Sequence, residues 1–357
     1  MAPNDSRARL ALIEFYLSTK DVKKALSVAQ EAATALPDRP ELVSALGRVQ
    51  QIAGETNQAL TTYGKLAAAQ PSATQPYLRM AEIHLAAREK DKAAENLRKA
   101  LTIKPDLVEA QRGLILLLVD AGKTAEAAGI AREVQKQRPK EPVGYLLEGD
   151  IAGATKNWGA AIAAYRNGLS KAQFTELAMR LHSAQLAAGK SAEADKWAAE
   201  WLKEHPKDAA FRLYLGDMAT AKSDWATAAR QYQSVLEVQP DQVLALNNLA
   251  WVTGQANNLG KAIEYAEKAN KLAPNRPAFM DTLGVLLAQK GDNERALDLL
   301  RKATELAPQE AGIRLNLARV LIKSGKKTEA GQELNTLTKL GDKFPKQAEV
   351  EKLKKEL

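Results

Sequence analysis

The sequence contains no cysteine, and this absence excludes several kinds of chemistry. Without a thiol the chain forms no disulfide, offers no thiolate to a metal and has no cysteine nucleophile. Aromatic residues are also scarce, at 5% of the chain, whereas alanine is abundant. This composition favours closely packed helices over a sheet sandwich with a bulky aromatic core.

Long apolar runs are absent as well. A membrane-spanning helix needs about 18 or more consecutive apolar residues, and the densest run here is GLILLLV at 113–119, between Arg112 and Asp120. The first five residues, MAPND, have neither the basic start nor the apolar core of a signal peptide. Residues 1–5 are therefore expected to be disordered, or an artificial start set inside a longer protein.

Motifs for catalysis and metal binding are missing too. His84, His182 and His205 stand in no metal-ligand spacing, and the sequence has neither a GxSxG nucleophile elbow nor a phosphate-binding P-loop. Charge of one sign is in modest excess, with 51 Lys and Arg against 43 Asp and Glu, and the signs are interspersed. We expect no enzymatic activity, no cofactor, no metal and no nucleic-acid partner.

What the sequence does contain is a 34-residue unit, seen clearly in residues 277–310. Met280, Leu283, Gly284 and Leu287 fall on one face of a first helix, a Gly-Asp pair breaks that helix, and a second amphipathic helix follows. Two short helices cannot bury their apolar faces alone, so this unit needs neighbours.

One alanine recurs in the second helix of every unit, at intervals of 34 residues with a single interval of 33. The ten positions are Ala25, Ala59, Ala93, Ala127, Ala161, Ala194, Ala228, Ala262, Ala296 and Ala330. A methyl group at a helix crossing lets two backbones approach closely and keeps helix propensity. A proline follows most of the second helices, where it stops the helix.

This pattern resembles the tetratricopeptide (TPR) repeat family, whose unit is a 34-residue helix–turn–helix. The resemblance implies an all-α fold, a right-handed TPR superhelix or α-solenoid of ten repeats. The expected repeats are 6–39, 40–73, 74–107, 108–141, 142–174, 175–208, 209–242, 243–276, 277–310 and 311–344. Residues 345–357 are expected to form a C-terminal capping helix, because the open end of a stack must be covered.

The C-terminal half carries a narrower resemblance. FRLYLGDMATAKSDWATAARQYQSVLEVQPD (211–241), LALNNLAWVTGQ (244–255), DTLGVLLAQKGD (281–292) and the ending LTKLGDKFPKQAEVEKLKKEL are similar to the TPR-repeat lipoproteins of the bacterial PEP-CTERM/exosortase system. Those proteins are encoded with exopolysaccharide export genes. The resemblance implies a bacterial cell envelope or periplasmic protein with a lipid anchor upstream, although this chain has no lipobox cysteine.

The TPR resemblance also implies a binding groove lined by the first helices, on the concave side of the stack. In the family the groove-facing slots are the second, fifth, sixth, ninth, twelfth and thirteenth of each repeat. They select Arg79, Glu82, Arg112, Asp150, Arg180, Asp217, Asn247, Asn248, Trp251, Asp281, Asn316 and Arg319. For the arginines the alternative is that they lie on a solvent-exposed face and bind no ligand.

Asn247, Asn248 and Trp251 form the sharpest feature of this set. An amide both donates and accepts, so the asparagines can pair with the backbone of an extended peptide, and Trp251 offers an apolar or sugar-stacking surface. The alternative is that the asparagines cap turns or bond a neighbouring helix, and that Trp251 is buried.

The sequence thus predicts a non-enzymatic protein–protein interaction scaffold that binds a peptide or protein segment in the groove. By resemblance its setting is exopolysaccharide export or PEP-CTERM protein sorting. Two alternatives stay open: an envelope protein that binds exopolysaccharide directly, and an intracellular chaperone adaptor. The carboxylate clamp of TPR co-chaperones is not expected, because Leu213 and Asp217 stand where its first lysine is needed.

Overall fold

The computed structural model describes residues 5–357, and this part of the chain is helical throughout, with no strand. Twenty α-helices form ten pairs, and a short 3-10 turn and one further α-helix follow them. The all-α helix–turn–helix fold predicted from the sequence is confirmed. Of the expected start, residues 1–4 lie outside the described residues, and the Asp5 side chain caps the first helix.

The first helices of the pairs are α1 (Ser6–Ser18), α3 (Pro40–Ile52), α5 (Gln75–Ala86), α7 (Val108–Asp120), α9 (Val143–Ala154), α11 (Thr175–Ala187), α13 (Ala209–Ala221), α15 (Val243–Gln255), α17 (Pro277–Lys290) and α19 (Ala311–Lys323). The second helices are α2 (Val22–Ala35), α4 (Thr56–Ala69), α6 (Lys90–Ile103), α8 (Thr124–Gln137), α10 (Trp158–Leu169), α12 (Ser191–Glu204), α14 (Trp225–Val238), α16 (Leu259–Leu272), α18 (Asn293–Leu306) and α20 (Lys327–Thr338). The last helix is α21 (Gln347–Lys354). The division into ten repeats stays a prediction.

The turn inside each pair is built from the same backbone device. One residue in every turn has a positive φ: Lys20, Gly54, Arg88, Gly122, Lys156, Gly189, Ser223, Asn257, Gly291 and Gly325. Glycine adopts this conformation freely, and it fills half of the positions. In five pairs a side chain next to this residue then caps the second helix: Asp21, Asn157, Asp224, Asn258 and Asp292.

The recurring alanines lie at the centre of the packing, as expected. All ten are fully buried, with a relative exposure of 0%. Each recurring proline stands two residues after the last residue of a second helix, for example Pro240 after Val238. Where that proline is missing, α10 ends early, at Leu169, and has 12 residues where most second helices have 14.

The chain divides into two compact units, residues 1–195 and 196–357, which we call the N-terminal and the C-terminal unit. In the C-terminal unit the first helix α17 contacts both α15 and α19, and in the N-terminal unit α9 contacts both α7 and α11. At these positions neighbouring first helices therefore lie side by side within each unit. Among the described helices, none is both long and apolar enough to cross a bilayer.

The helix α21 packs against the last pair of the C-terminal unit. Val350 of α21 and Phe344 before it are buried together with Leu315, Leu334 and Leu337. These contacts cover apolar side chains of α19 and α20, and they fix which side of α21 points toward the first helices.

Candidate functional site

In the N-terminal unit, the candidate residues pair mostly with opposite charges. Arg79 and Glu82 form an ion pair of 2.8 Å within α5. Asp150 on α9 lies 3.8 Å from Arg180 on α11, so these two candidates are brought together across neighbouring first helices. Arg112 is exposed on α7.

A pair that occupies a groove-facing slot but was not among the candidate residues shows the same arrangement. Arg48 on α3 donates through both terminal nitrogens to Glu14 on α1, at 2.8 and 2.9 Å. The two residues are 34 positions apart and occupy the ninth slot of successive expected repeats. Opposite charges at the same slot of two successive repeats are the sequence feature that could have predicted this pair.

In the C-terminal unit, the first candidate group centres on the exposed carboxylate of Asp217. Its Oδ1 accepts from the Tyr232 hydroxyl at 2.7 Å and from the Asn248 amide, one repeat further on, at 3.1 Å. Asn247 donates to Asn248 Oδ1 at 3.3 Å. The Oδ1 atom of Asn247 is buried and meets no hydrogen-bond donor among the described residues. Asn248 therefore links α13 and α15, and the contact of both asparagines with a peptide stays a prediction.

The Tyr232 side chain extends from the second helix α14 to Asp217 on the first helix α13, because Gly216 has no side chain and leaves room for the ring. A Cβ atom added at Gly216 would lie 2.5 Å from the Tyr232 ring, and one added at Gly149 would lie 2.1 Å from the Tyr165 ring. Burial raises the pKa of Tyr232 to about 12, and its bond to Asp217 acts in the same direction. The sequence feature that could have predicted this contact is a glycine followed 16 residues later by a tyrosine.

Trp251 lies one helical turn beyond Asn247 and Asn248 on α15. Its side chain is half-buried and packs beside a core cluster that contains Leu249 and Val252. It is thus fixed by its neighbours on one side and open to solvent on the other. Such a side chain can anchor an apolar group of a ligand.

The second candidate group runs through three helices, and we call Asp281, Asn316, Arg319 and Glu349 the C-terminal network. Asn316 on α19 donates to both carboxylate oxygens of Asp281 on α17, at 2.9 and 3.0 Å. Arg319 donates to Asn316 Oδ1 at 2.6 Å and, through Nε and Nη2, to Glu349 of α21. Sequence reasoning missed Glu349, because α21 follows no repeat register.

The electrostatics of this network are set by burial. Burial raises the pKa of Asp281 to about 6, while the Asn316 hydrogen bonds and the positive charges of Arg319 and Lys346 act in the opposite direction. Part of the Asp281 population is therefore protonated near neutral pH.

None of the three histidines is a member of these two groups. His84 is buried and its Nδ1 contacts Glu89 at 2.6 Å. His182 is buried on α11, and the His205 ring stacks on Trp201 at 4.0 Å between centroids. In the part of the chain that the structure describes, no group of three or more acidic, histidine or cysteine side chains could hold a metal ion. What the candidate residues offer is hydrogen bonding, charge and apolar contact.

Three repeat-family models match parts of the chain. Two family models described as "Tetratricopeptide repeat" match residues 5–143 and 287–357, and a model described as "TT21 fifth ARM repeats domain" matches residues 209–307. The mouse protein named "Tetratricopeptide repeat protein 21A" is 24% identical over 309 residues, which is 77% of this chain and 23% of that protein.

Two further similar proteins complete the comparison. The "Putative cellulose synthase operon protein C" of Escherichia coli O157:H7 is 29% identical over 177 residues, 45% of this chain and 15% of that protein. The crystal structure of the "APC/C hetero-tetramer Cut9-Hcn1" covers 97% of this chain and 95% of its own, with a TM-score of 0.49 and 12% identity. The chain spans between 14% and 23% of the length of the curated relatives it matches.

Proposed function

Because the chain is a tetratricopeptide-repeat protein, we propose that it is a non-enzymatic scaffold and binds an extended peptide or protein segment on the first-helix face of its C-terminal unit. We call this surface the C-terminal face. It comprises Asp217, Asn247, Asn248, Trp251, Asp281, Asn316 and Arg319 on α13, α15, α17 and α19.

The observation that carries this proposal is that Trp251 lies on α15, which follows one hydrogen-bonded link in the order of first helices and precedes the other. On one side Asn248 is held by Asp217, and on the other Asn316 is held by Asp281. Both links join successive first helices, so the polar groups flanking the tryptophan are already ordered before a ligand arrives. A half-buried aromatic anchor with an ordered polar rim is the usual composition of a binding hot spot, and ordering in advance lowers the entropy lost on binding.

Asn247 supplies the polar contact that an extended peptide needs. Its Oδ1 is buried without a hydrogen-bond donor among the described residues, which costs free energy in the unbound protein. A peptide N–H reaching this oxygen after a small rotation of the side chain would remove that cost. The same contact is available to any peptide sequence, because the donor belongs to the backbone.

For the cellular setting, we propose exopolysaccharide export or PEP-CTERM protein sorting in a bacterial envelope, with a lipid anchor in the full-length protein. The C-terminal segments quoted above support this setting, and so do two relatives named as cellulose synthase operon protein C. Fractionation of cells that express the complete gene tests it. Recovery with the envelope is expected, whereas recovery in the cytosol alone would favour the intracellular chaperone adaptor.

The test of the peptide site compares two tryptophans. A random library of displayed dodecapeptides is selected on the wild type and then measured on Trp251→Ala and on Trp225→Ala. Both side chains are half-buried beside the same core cluster, but Trp225 begins the second helix α14. We expect Trp251→Ala to weaken binding by about tenfold or more, as for a hot-spot aromatic, and Trp225→Ala to leave it unchanged.

Equal loss in both variants would mean that the effect is on packing, and enrichment of no peptide would overturn the proposal. Thermal melting of each variant is recorded beside the binding curves, so that unfolding is recognised directly.

A second candidate function, direct binding of exopolysaccharide, is favoured by a different cleft. A cavity of about 630 Å³ lies between α14 and α16 and is lined by the rings of Trp225 and Tyr265 together with Gln233, Asn258 and Asp224. Aromatic faces beside amides and a carboxylate suit sugar rings. On a glycan array the same two variants give the opposite result: binding is lost in Trp225→Ala and kept in Trp251→Ala.

A further inference from the structure

A small cavity of about 230 Å³ opens between α17 and α19 on the C-terminal face. Its apolar lining consists of Val285, Ala288 and Val320, and Ala288 and Val320 are buried. Cavities that hold whole drug-sized ligands measure about 300–1,000 Å³, so this one suits a single side chain. The polar part of its lining is Gln289, Asn316, Arg319 and Lys323.

The charge of this cavity is of one sign. Arg319 and Lys323 are the charged residues among its lining, and both are cationic. The surrounding sequence has the same bias, because residues 311–357 contain eleven Lys and Arg against six Asp and Glu. A cavity of this kind attracts an anionic group and disfavours a cationic one.

Arg319 already holds a carboxylate of the chain itself. Its Nε and Nη2 both donate to Oε1 of Glu349, while its Nη1 donates to Asn316. The side chains of Arg319 and Glu349 are 39% and 36% exposed, so solvent reaches the pair. An ion pair this exposed is weak, and another carboxylate can therefore take the place of Glu349.

Lys323 adds a second cationic donor to the lining of the cavity. Its ammonium group donates to the carbonyl oxygen of Ala288, in the last turn of α17. An ammonium group has three N–H donors, so two remain for a ligand. The last turn of a helix attracts cations, which keeps the lysine over the cavity.

We propose that this cavity binds an acidic side chain, Asp or Glu, flanked by small apolar residues in the peptide partner. When no partner is bound, Glu349 is paired with Arg319 in its place. This inference deepens the proposed function and rests on it. Glu349 is thus an internal competitor, and peptide selectivity comes from the exchange of one carboxylate for another on Arg319.

The test uses fluorescein-labelled dodecapeptides with one Glu among Val and Ala residues, and the same peptides with Lys in place of that Glu. Binding is measured by fluorescence anisotropy to the wild type, Arg319→Ala and Glu349→Gln. The matched control is Glu329→Gln, which removes the partner of Arg301 from an ion pair on the second helices α18 and α20.

We expect the Glu peptide to bind and its Lys counterpart to bind at least about tenfold more weakly, which is the effect of one charged hydrogen-bonded contact. Arg319→Ala lowers this preference, and the part that remains comes from Lys323. Glu349→Gln strengthens binding of the Glu peptide by about twofold to fivefold, because a competing surface ion pair is gone. Glu329→Gln leaves the affinity unchanged.

The outcomes separate this inference from the proposed function. Equal binding of Glu and Lys peptides, still dependent on Trp251, overturns the acidic cavity and leaves the peptide scaffold standing. Unchanged or weaker affinity in Glu349→Gln overturns the competitor role. Binding of neither peptide, together with an empty selection on the random library, overturns both.

Discussion

The two units link their first helices with different chemistry. In the N-terminal unit the links are ion pairs, Arg48 with Glu14 and Arg180 with Asp150. In the C-terminal unit an asparagine amide donates to a carboxylate: Asn248 to Asp217, and Asn316 to Asp281. All four links join successive first helices at a distance of about one repeat in sequence.

This difference decides how each face responds to solvent and ligand. An ion pair between exposed side chains is screened by salt and contributes little stability. An amide carries no charge, and its partner Asp281 is a half-buried carboxyl whose pKa is raised by burial to about 6. Amides also leave a face of donors and acceptors that suits a peptide backbone. This difference supports the proposal that the binding function lies on the C-terminal face.

The largest expected effect concerns a feature that both units share, a first-helix glycine that leaves room for a tyrosine to bond a first-helix aspartate. Gly149→Ala in the N-terminal unit and Gly216→Ala in the C-terminal unit force the ring of Tyr165 or Tyr232 to move. We expect each substitution to lower the free energy of unfolding by about 1–3 kcal/mol, as overpacking does. Chemical denaturation measures it.

Gly129→Ala is the matched control for these glycines. A Cβ atom at this helical position meets nothing within 4 Å, so the substitution should stabilise the protein, by about 0.5–1 kcal/mol. Stabilisation by Gly149→Ala or Gly216→Ala as well would show that the tyrosine rings do not need the glycines.

The next effect is a pH dependence of stability, which we expect at the Asn316–Asp281 link and not at the Asn248–Asp217 link. Asp281 has a pKa raised from 3.8 to about 6, so the folded state retains a proton that the unfolded state has released. The stability that this retained proton contributes is fully present below pH 3.8 and is lost as the pH rises through about 6. We expect Asp281→Asn to remove about 1 kcal/mol of pH dependence between pH 5 and pH 7, which follows from about 1.4 kcal/mol for each unit of pKa.

Asp217→Asn is the corresponding control, because Asp217 is exposed although it accepts a similar amide bond. Urea denaturation at a series of pH values compares the variants. If Asp217→Asn removed the dependence of the free energy of unfolding on pH and Asp281→Asn did not, the titrating carboxyl would be wrongly assigned.

The smallest effect concerns salt. Arg48→Ala breaks the exposed pair with Glu14, and we expect a loss of about 0.2–1 kcal/mol at low ionic strength that fades near 1 M salt. Asn248→Ala breaks a link through a neutral amide, and its cost, about 0.5–1.5 kcal/mol, should not fade. A salt-dependent cost in Asn248→Ala alone would reverse the comparison between the units.

Much of the fold follows from the sequence because alanine and proline recur at fixed positions. The spacing predicted where helices cross, and Ala262 and its equivalents are fully buried there. The spacing did not predict that Lys20 or Arg88 adopts a positive φ, because neither residue type favours that conformation.

The candidate site was predictable only in part. The repeat slots indicated that Asp281 and Asn316 share a face, but a slot gives the direction of a side chain and not its partner. Their bond joins the fifth slot of one expected repeat to the sixth of the next, which spacing alone does not reveal. Glu349 could not be found in this way, since α21 lies outside the repeat pattern.

The most direct test of the central claim is the oxidation of two tryptophans by hydroxyl radicals, with and without a selected peptide. Trp251 and Trp225 are both half-buried and pack beside the same core, on a first and a second helix respectively. If the peptide lies on the C-terminal face, bound peptide slows the oxidation of Trp251 and leaves that of Trp225 unchanged. Protection of Trp225 with no change at Trp251 would contradict the account.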